Sequence, residues 1–315
     1  SEKAVVFRRA NRIPDDLGTA VTVQRMVFGN SEGNSGTGVA FTRDPATGEN
    51  TLYLDFAFNA QGEDVVSGRS TLEQGPDLAR RLPDAYGELV ALKERLEREF
   101  RDAQEFEFTV QDGKLFILQT RAAKRTALAA LRIAVERLEA GDLSPAEAGR
   151  SLEGIDLEGI EILHVEGSGG AVPLASGTAA SIGVASGRIA LSPARAVELA
   201  REGSPVLLVR GDIATSDIAA IHAASGILTA RGGRTSHAAV VARQLGKACI
   251  GGCGDLHIDP GARSCSIGGR MLREGDSLCL DANTGAVFAG EPRITRERPA
   301  DLLERIRRYV PRPTV

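Results

Sequence analysis

The chain has 315 residues, of which 42% are hydrophobic and 25% charged, a composition that is ordinary for a globular protein and sufficient for two domains. The net charge of −4, the aromatic content of 4% and the lack of tryptophan argue against a nucleic-acid partner. No apolar stretch approaches the roughly 20 residues of a membrane span. We expect a cytoplasmic protein with no membrane partner, and a homodimer is one candidate assembly.

The first 121 residues predict strands, turns and one long helix. Residues 38–43 and 52–58 have strand character, and the Pro and Gly of the intervening 44–48 suit a tight reversal. Over 83–100, apolar residues recur at helical spacing and predict a core-facing stripe. That stripe consists of Tyr86, Leu89, Leu92, Leu96 and Phe100.

A second hairpin follows, with strands at 105–110 and 114–121. Because side chains alternate along a strand, two polar residues of each strand share a face; they are Glu105 and Glu107 in the first strand, and Gln119 and Arg121 in the second. A two-residue loop would put the two pairs on opposite faces, whereas a three-residue loop with a left-handed Gly113 puts all four on one face. We predict the three-residue loop, because it also stacks Phe106 and Phe108 against Leu118 and Phe116.

Residues 122–170 predict a helical linker. An apolar stripe marks its first helix and consists of Leu128, Leu131, Val135 and Leu138. Residues 144–147, Ser-Pro-Ala-Glu, have the capping pattern of a helix start. The glycine-rich 167–170 predicts a hinge or a domain entry, and we expect the stretch 122–175 and the tail after Gly290 to act as hinges.

Residues 171–290 predict an α/β unit, because short strands alternate with helices. The strands are predicted at 205–209, 226–229 and 248–250, and the helices begin after Ser192, after 215–217 and after Thr235–Ser236. Four cysteines without a Cys-x-x-Cys pair predict buried reduced thiols rather than zinc ligands or disulfides; they are Cys249, Cys253, Cys265 and Cys279. In the charged tail, apolar residues between 302 and 310 predict a short helix that docks or leads onward.

The run 232–243 has the most specific chemistry in the chain. Gly232 and Gly233 permit a sharp turn with room for an anion, and Thr235 or Ser236 can cap the helix that follows. The free N–H groups and the positive dipole end of that helix would face the anion. At the helix start, the imidazole of His237 is a competent nucleophile near neutral pH. This pattern predicts that His237 carries a phosphoryl group rather than acting as an ordinary cap or a solvated side chain.

This run resembles the phosphohistidine motif of dikinases that make phosphoenolpyruvate, and nearly the whole chain resembles pyruvate, phosphate dikinase. The supporting segments are 13–21, 35–45 and 59–66, together with 118–121, 124–127 and 252–254, which favour this family over phosphoenolpyruvate synthase. The resemblance implies an α/β (α+β) fold with four parts. They are the C-terminal part of an ATP-grasp nucleotide domain (1–121), a helical linker (122–170), a swivelling β/β/α phosphohistidine domain (171–290) and a tail toward a pyruvate- and phosphoenolpyruvate-binding barrel (291–315).

The family converts ATP, phosphate and pyruvate to AMP, pyrophosphate and phosphoenolpyruvate with the help of Mg²⁺. The resemblance implies that His237 is the covalent carrier. It assigns nucleotide binding to Glu107, Gln119, Arg121, Glu105 and, more weakly, Glu63, and it assigns Mg²⁺ binding to Glu107 and Glu105. Glu105 stands where the family usually has Asp, and Arg234 stands where many members have Met. Gly232, Gly233, Thr235 and Ser236 would support the carrier; Thr235 matches a position that is phosphorylated in plant members, but a capping role is preferred here.

The family's first nucleotide subdomain and its barrel have no counterpart in residues 1–315. We therefore expect an internal piece that does not complete the dikinase reaction alone. Two alternatives stay open. One is another phosphohistidine phosphotransferase, such as a phosphoenolpyruvate synthase or an antibiotic-modifying relative. The other is a non-catalytic carrier module that receives phosphate from a partner.

Overall fold

The computed structural model describes residues 8, 14, 16–18, 20–31, 33–67, 73–166, 172–214 and 217–310. Their helices are α1 (Gly62–Ser67), α2 (Gly75–Arg81), α3 (Pro83–Phe100), α4 (Ala127–Glu139), α5 (Pro145–Ser151), α6 (Pro193–Arg201), α7 (Ile218–Ala223), α8 (His237–Gln244) and α9 (Ala300–Arg307). Their strands are β1 (Gly36–Phe41), β2 (Tyr53–Phe58), β3 (Gln104–Gln111), β4 (Lys114–Ala122), β5 (Ile162–Val165), β6 (Ala175–Ser176), β7 (Thr178–Ala179), β8 (Val184–Ala190), β9 (Val206–Arg210), β10 (Gly226–Thr229), β11 (Ala248–Gly251), β12 (Leu256–Asp259), β13 (Ser264–Ile267), β14 (Arg270–Arg273), β15 (Ser277–Asp281), β16 (Ala286–Ala289) and β17 (Ile294–Glu297).

The first sheet is antiparallel, with the strand order β2-β1-β3-β4. Its alternating side chains give it two different faces. Helices α2 and α3 cover the apolar face, where the rings of Phe56 and Phe108 stack at 5.7 Å. The predicted helix stripe is correct for Leu89 and Leu96, which are buried, and wrong for Phe100, which is 54% exposed because α3 ends there, beyond the core.

The second sheet has eight strands in the order β6-β16-β15-β8-β9-β10-β11-β7. The parallel neighbours β8, β9, β10 and β11 form its centre. Helices α6, α7 and α8 pack on one face, and the small sheet β12-β13-β14 packs on the other. The predicted strands and helix starts of 171–290 agree with these elements, except that residues 215–216 lie outside the described residues.

The segments before and after the second sheet pack together instead of leading apart. Helix α9 shares one apolar core with α4 and α5, and β5 pairs antiparallel with β17. Two surface ion pairs also join the segments, Arg305 to Glu139 and Arg298 to Glu158, each at 2.6 Å. The tail helix therefore docks, and the helical part of 122–175 is anchored rather than extended. The predicted glycine hinge at 167–170 lies outside the described residues.

Local capping follows the sequence pattern closely in this region. The Ser144 side chain accepts a hydrogen bond from the Glu147 amide, and the Glu147 carboxylate accepts one from the Ser144 amide, which completes a capping box.

All four cysteines are buried free thiols. Among the described residues, no helix is long and apolar enough to cross a membrane.

Candidate functional site

The face of the first sheet opposite α3 carries the polar residues predicted from β3 and β4. In the antiparallel pairing, Glu105 lies opposite Arg121, and Glu107 lies opposite Gln119. Residues that pair directly in this way point to the same face of a sheet. The predicted common face is therefore present.

A β-bulge produces this alignment, and the predicted three-residue loop is wrong. Asp112 and Gly113 form a two-residue turn in which both φ angles are positive, 53° and 79°, as in a type I′ hairpin. The register then shifts between Glu107 and Phe108, which leaves Leu118 as an extra residue of β4. Without that extra residue, the two-residue turn would direct the polar end of β4 to the opposite face.

The predicted stacking across this hairpin is wrong for the same reason. Phe108 lies opposite Ile117, and Phe106 lies opposite Thr120. Leu118 joins the lining of a cavity on the polar face instead of covering the phenylalanine rings. An apolar side chain is thus placed beside the carboxylate of Glu107.

This cavity has a volume of about 280 Å³ and is lined by Thr37, Gly38, Val39, Gly62, Val65, Glu107 and Leu118. Gly38 has to be glycine, because a Cβ atom there would lie 2.6 Å from the Phe108 ring and 2.7 Å from the carbonyl oxygen of Asp55. Glu63, a weaker nucleotide candidate, follows the lining residue Gly62 in α1 and is not itself among the lining residues. The site offers mixed apolar and acidic walls next to an open sheet face.

Glu105 and Arg121 form an ion pair at the edge of this face. An Nη2 of Arg121 donates to Oε1 of Glu105 at 2.5 Å, and only 4% of the glutamate side chain is exposed. The carboxylate raises the pKa of Arg121 by hydrogen bonding to its charged form. Arg121 itself is half exposed, so its remaining N–H groups are accessible to an oxyanion.

The carboxylates fit a Mg²⁺ ion that is held jointly by protein and substrate. Mg²⁺ is commonly bound through one or two carboxylates, substrate phosphates and waters, and Glu105 and Glu107 supply two carboxylates from one strand face. Within the described parts of the chain, no three His, Cys, Asp or Glu side chains cluster to hold a metal by themselves.

The loop before His237 has the predicted sharp turn. Gly232 has a φ of 99°, and His237 is the first residue of α8. Ser236 is the N-cap, since its hydroxyl accepts a hydrogen bond from the Ala239 amide. Thr235, for which we preferred the capping role, does not cap the helix.

Thr235 instead joins this loop to the first sheet. Oδ2 of Asp55 in β2 accepts hydrogen bonds from the Thr235 amide at 2.9 Å and from its hydroxyl at 3.0 Å. Both residues are buried, Asp55 at 2% and Thr235 at 6% exposure. Burial raises the pKa of Asp55, because the charged carboxylate has lost water.

Asp55 belongs to the same sheet face as the predicted nucleotide residues. It lies opposite Val39, and Val39 lies opposite Glu107 on its other side. The loop that ends at His237 is therefore docked on the polar face that carries the carboxylates. Our sequence reasoning missed Asp55, although a carboxylate at the centre of the apolar strand 53–58 was an available signal.

Comparisons with known proteins agree with the sequence resemblance. Residues 1–77 match the family model described as pyruvate phosphate dikinase, AMP/ATP-binding domain, and residues 203–285 match that of the PEP-utilising enzyme, mobile domain. The pyruvate, phosphate dikinase of Clostridium symbiosum is 44% identical over 96% of this chain and 35% of its own length. That of Rhizobium meliloti is 42% identical over 95% of this chain, and the chloroplastic enzyme of Flaveria trinervia is 43% identical over 92%.

These matches confirm the resemblance to the pyruvate, phosphate dikinase family. The chain spans about a third of the length of the curated relatives it matches, covering 35% of the two bacterial proteins and 31% of the plant one. It is thus similar to a portion of those enzymes.

Proposed function

We propose that the chain is the phosphoryl-carrying part of a pyruvate, phosphate dikinase-type phosphotransferase, in which His237 takes a phosphoryl group from ATP and relays it toward pyruvate. The complete enzyme would convert ATP, phosphate and pyruvate to AMP, pyrophosphate and phosphoenolpyruvate. The four proposed parts are the predicted ones, 1–121, 122–170, 171–290 and 291–315. The buried reduced thiols support a cytoplasmic location, and a homodimer remains one candidate assembly.

The contact between Asp55 and Thr235 is the main support for this proposal. The Asp55–Thr235 contact holds the loop before His237 against the sheet face of Glu105, Glu107, Gln119 and Arg121. A histidine that accepts phosphate from a nucleotide must approach the residues that bind it. Burying a carboxylate is costly unless it is hydrogen-bonded, so the bonds from Thr235 to Asp55 support a specific contact between the loop and the sheet.

We assign complementary roles on the sheet face. Glu105 and Glu107 would hold Mg²⁺, which when bound neutralises charge on the phosphates. Arg121 offers accessible N–H groups for phosphate oxygens, while its pairing with Glu105 keeps its guanidinium in place. Gln119 and the Glu63 region would contribute further polar contacts to the nucleotide.

The loop supplies the acceptor. A neutral imidazole nitrogen of His237 would attack a phosphorus atom of ATP, forming the N–P bond as the P–O bond to the leaving AMP breaks. Phosphate then removes the outer phosphoryl group as pyrophosphate, and the remaining group passes to pyruvate. The turn at Gly232 and Gly233 gives space for the phosphoryl oxygens, and the Ser236 cap orders the first turn of α8.

Transfer to a second substrate requires the carrier to leave the first sheet. The paired strands β5 and β17 lie side by side at the entry and exit of the second unit. The helices α4, α5 and α9 share one core and would move as one body. We therefore place the hinge at β5 and β17. Domain movements of this kind use a few residues at element ends.

The test is the intact mass of the chain after incubation with ATP and Mg²⁺, beside a His237→Ala variant. We expect an acid-labile phosphate or pyrophosphate adduct in the parent and none in the variant. Phosphoramidate, a small donor that needs no nucleotide site, provides a second measurement. It should label His237 ahead of His164, His222 and His257, the other histidines of the chain.

An adduct that survives in the His237→Ala variant would assign the phosphate to another residue. No acid-labile adduct from either donor would refute the carrier role. An adduct from phosphoramidate alone would support the carrier and show that ATP needs a more complete cleft.

A further inference from the structure

We call the loop before His237, residues 230–236, the carrier loop, and its contact with the first sheet the junction. At this junction a cation of the carrier loop lies against an aromatic ring of the first sheet. The Cζ atom of Arg234 is 4.4 Å from the centre of the Tyr53 ring. Arg234 directly precedes Thr235, and Tyr53 is two residues before Asp55 on the same face of β2. Two successive loop residues therefore contact two alternate residues of one strand.

The ring is the main partner of this guanidinium. Nε of Arg234 is buried and has no hydrogen-bond partner among the described residues, and the side chain forms no ion pair there. Tyr53 is buried, and burial raises the pKa of its phenol, so the ring stays neutral and offers its π face to the cation. Arg234 is partly buried, and attraction between a partly desolvated cation and a ring is stronger than at a fully exposed site.

The backbone of Arg234 is also held in place. An Nη1 of Arg243, a fully buried residue of α8, donates to the Arg234 carbonyl at 2.7 Å and to the Ala180 carbonyl at 2.8 Å. The Tyr53 hydroxyl reaches the Ala179 carbonyl at 3.4 Å. Ala179 belongs to the second sheet, so the Tyr53 hydroxyl also bridges the junction, whereas Arg243 fixes the Arg234 backbone from within its own unit.

The charge of Arg234 also favours the buried Asp55 carboxylate. Asp55 has no ion pair within the described residues, and the nearby positive charge of Arg234 lowers the free-energy cost of its buried negative charge. Removing that charge would weaken two contacts of the same loop. Both contacts act within three residues of His237.

We infer that Arg234 is a positioning residue that clamps the carrier loop to the Tyr53 ring and so sets the fraction of time for which His237 faces the first sheet. This inference rests on the proposed carrier function for its meaning, but the contact itself can be tested without any phosphoryl transfer. A contact of this strength corresponds to about a five- to thirtyfold change in the docking equilibrium.

Hydrogen exchange of the Thr235 amide measures docking directly, because that amide donates to Asp55 only while the loop is docked. We expect Arg234→Met, which keeps an unbranched stem without the charge, to speed this exchange about five- to thirtyfold. Arg231→Met is the matched control, since it removes an exposed arginine three residues earlier in the same loop. Arg234→Lys keeps a cation and should give an intermediate rate.

The sheet side supplies the partner variants. Tyr53→Leu removes the ring and should speed exchange as Arg234→Met does, with little further effect when the two are combined. Tyr53→Phe keeps the ring and loses only the long hydroxyl bond to Ala179, so its Thr235 amide should exchange more slowly than that of Tyr53→Leu. Equal exchange rates at Thr235 in Arg234→Met and Arg231→Met would overturn the inference, as would fully additive effects of Arg234→Met and Tyr53→Leu.

The amide of Leu208, in the centre of the second sheet, reports whether a variant has unfolded. If Arg234→Met also speeds exchange at Leu208, that variant has unfolded, and the comparison of Tyr53→Leu with Tyr53→Phe tests the ring contact instead. Faster Thr235 exchange in the leucine variant alone supports the ring contact, and equal rates in the two overturn it. If Arg234→Met speeds Thr235 exchange as expected but neither ATP nor phosphoramidate gives an adduct on His237, the proposed carrier function fails and the loop contact stands.

Discussion

Replacing Thr235 by valine tests the contact on which the proposed function depends. Valine has nearly the shape of threonine but no hydroxyl, so the substitution removes the 3.0 Å bond to Asp55 and keeps the amide bond at 2.9 Å. Both side chains are buried, so water cannot replace the lost donor while the loop stays docked. A hydrogen bond to a charged group is worth about 1.5–3 kcal/mol, which corresponds to a factor of roughly 10 to 150 in the docking equilibrium.

The assay is amide hydrogen exchange at position 235, with Thr235→Ser as the control that keeps the hydroxyl. We expect exchange to be about 10 to 150 times faster in the valine variant and within about threefold of the parent in the serine variant. Equal rates in the two variants would refute the reasoning, because the hydroxyl would then contribute nothing to docking. Unchanged exchange at Leu208 would exclude unfolding as the cause of any increase.

Four further predictions follow from the same contacts. Because burial raises the pKa of Asp55 in the docked state above that of a free carboxyl, docking takes up a proton; the protection of the Thr235 amide, measured against its intrinsic exchange rate at the same pH, should increase as the pH falls from the raised pKa toward about 4, and this increase in protection should vanish in Asp55→Asn. Arg121→Ala should lower the free energy of unfolding in urea by about 1–2 kcal/mol, because it leaves the buried Glu105 carboxylate unpaired; this value is reduced for the exposure of Arg121. A Glu105→Gln/Arg121→Ala double variant should be more stable than Arg121→Ala alone, and equal stability of the two would contradict the reasoning. Phe108→Ala should cost about 3–5 kcal/mol and Phe100→Ala less than about 1 kcal/mol, and equal losses would show that the exposed end of α3 has been misjudged. With ATP, phosphate and pyruvate, the chain as sole enzyme should form no phosphoenolpyruvate in a coupled assay, because it spans about a third of its relatives; sustained formation would disprove this.

Much of the fold was predictable because it depends on local patterns. The long helix at 83–100 follows from apolar periodicity, and the capping box at Ser144 and Glu147 follows from four adjacent residues. The α8 start at His237 follows from a glycine turn and a capping serine. In each case the residues that determine the structure lie within a few positions of one another.

The hairpin at 104–122 shows where local patterns stop being sufficient. Alternation correctly grouped Glu105 with Glu107 and Gln119 with Arg121, but it left the relation between the two groups to the register. A two-residue turn with a bulge at Leu118 and a three-residue turn without one give the same polar face. The choice between them depends on packing of both faces of the sheet, which no short segment contains.

By itself, the sequence determined the strand and helix pattern, the phosphohistidine motif and the resemblance to a dikinase, because these are encoded by residues that are neighbours in the chain. Only the tertiary structure decided that Thr235 binds Asp55 instead of capping α8, that Arg234 rests on Tyr53, and that the tail helix returns to the linker. Those contacts join residues about 180 positions apart in the first two cases. A hydroxyl or guanidinium can satisfy several partners locally, and the buried partner that it meets is set by how the sheets pack.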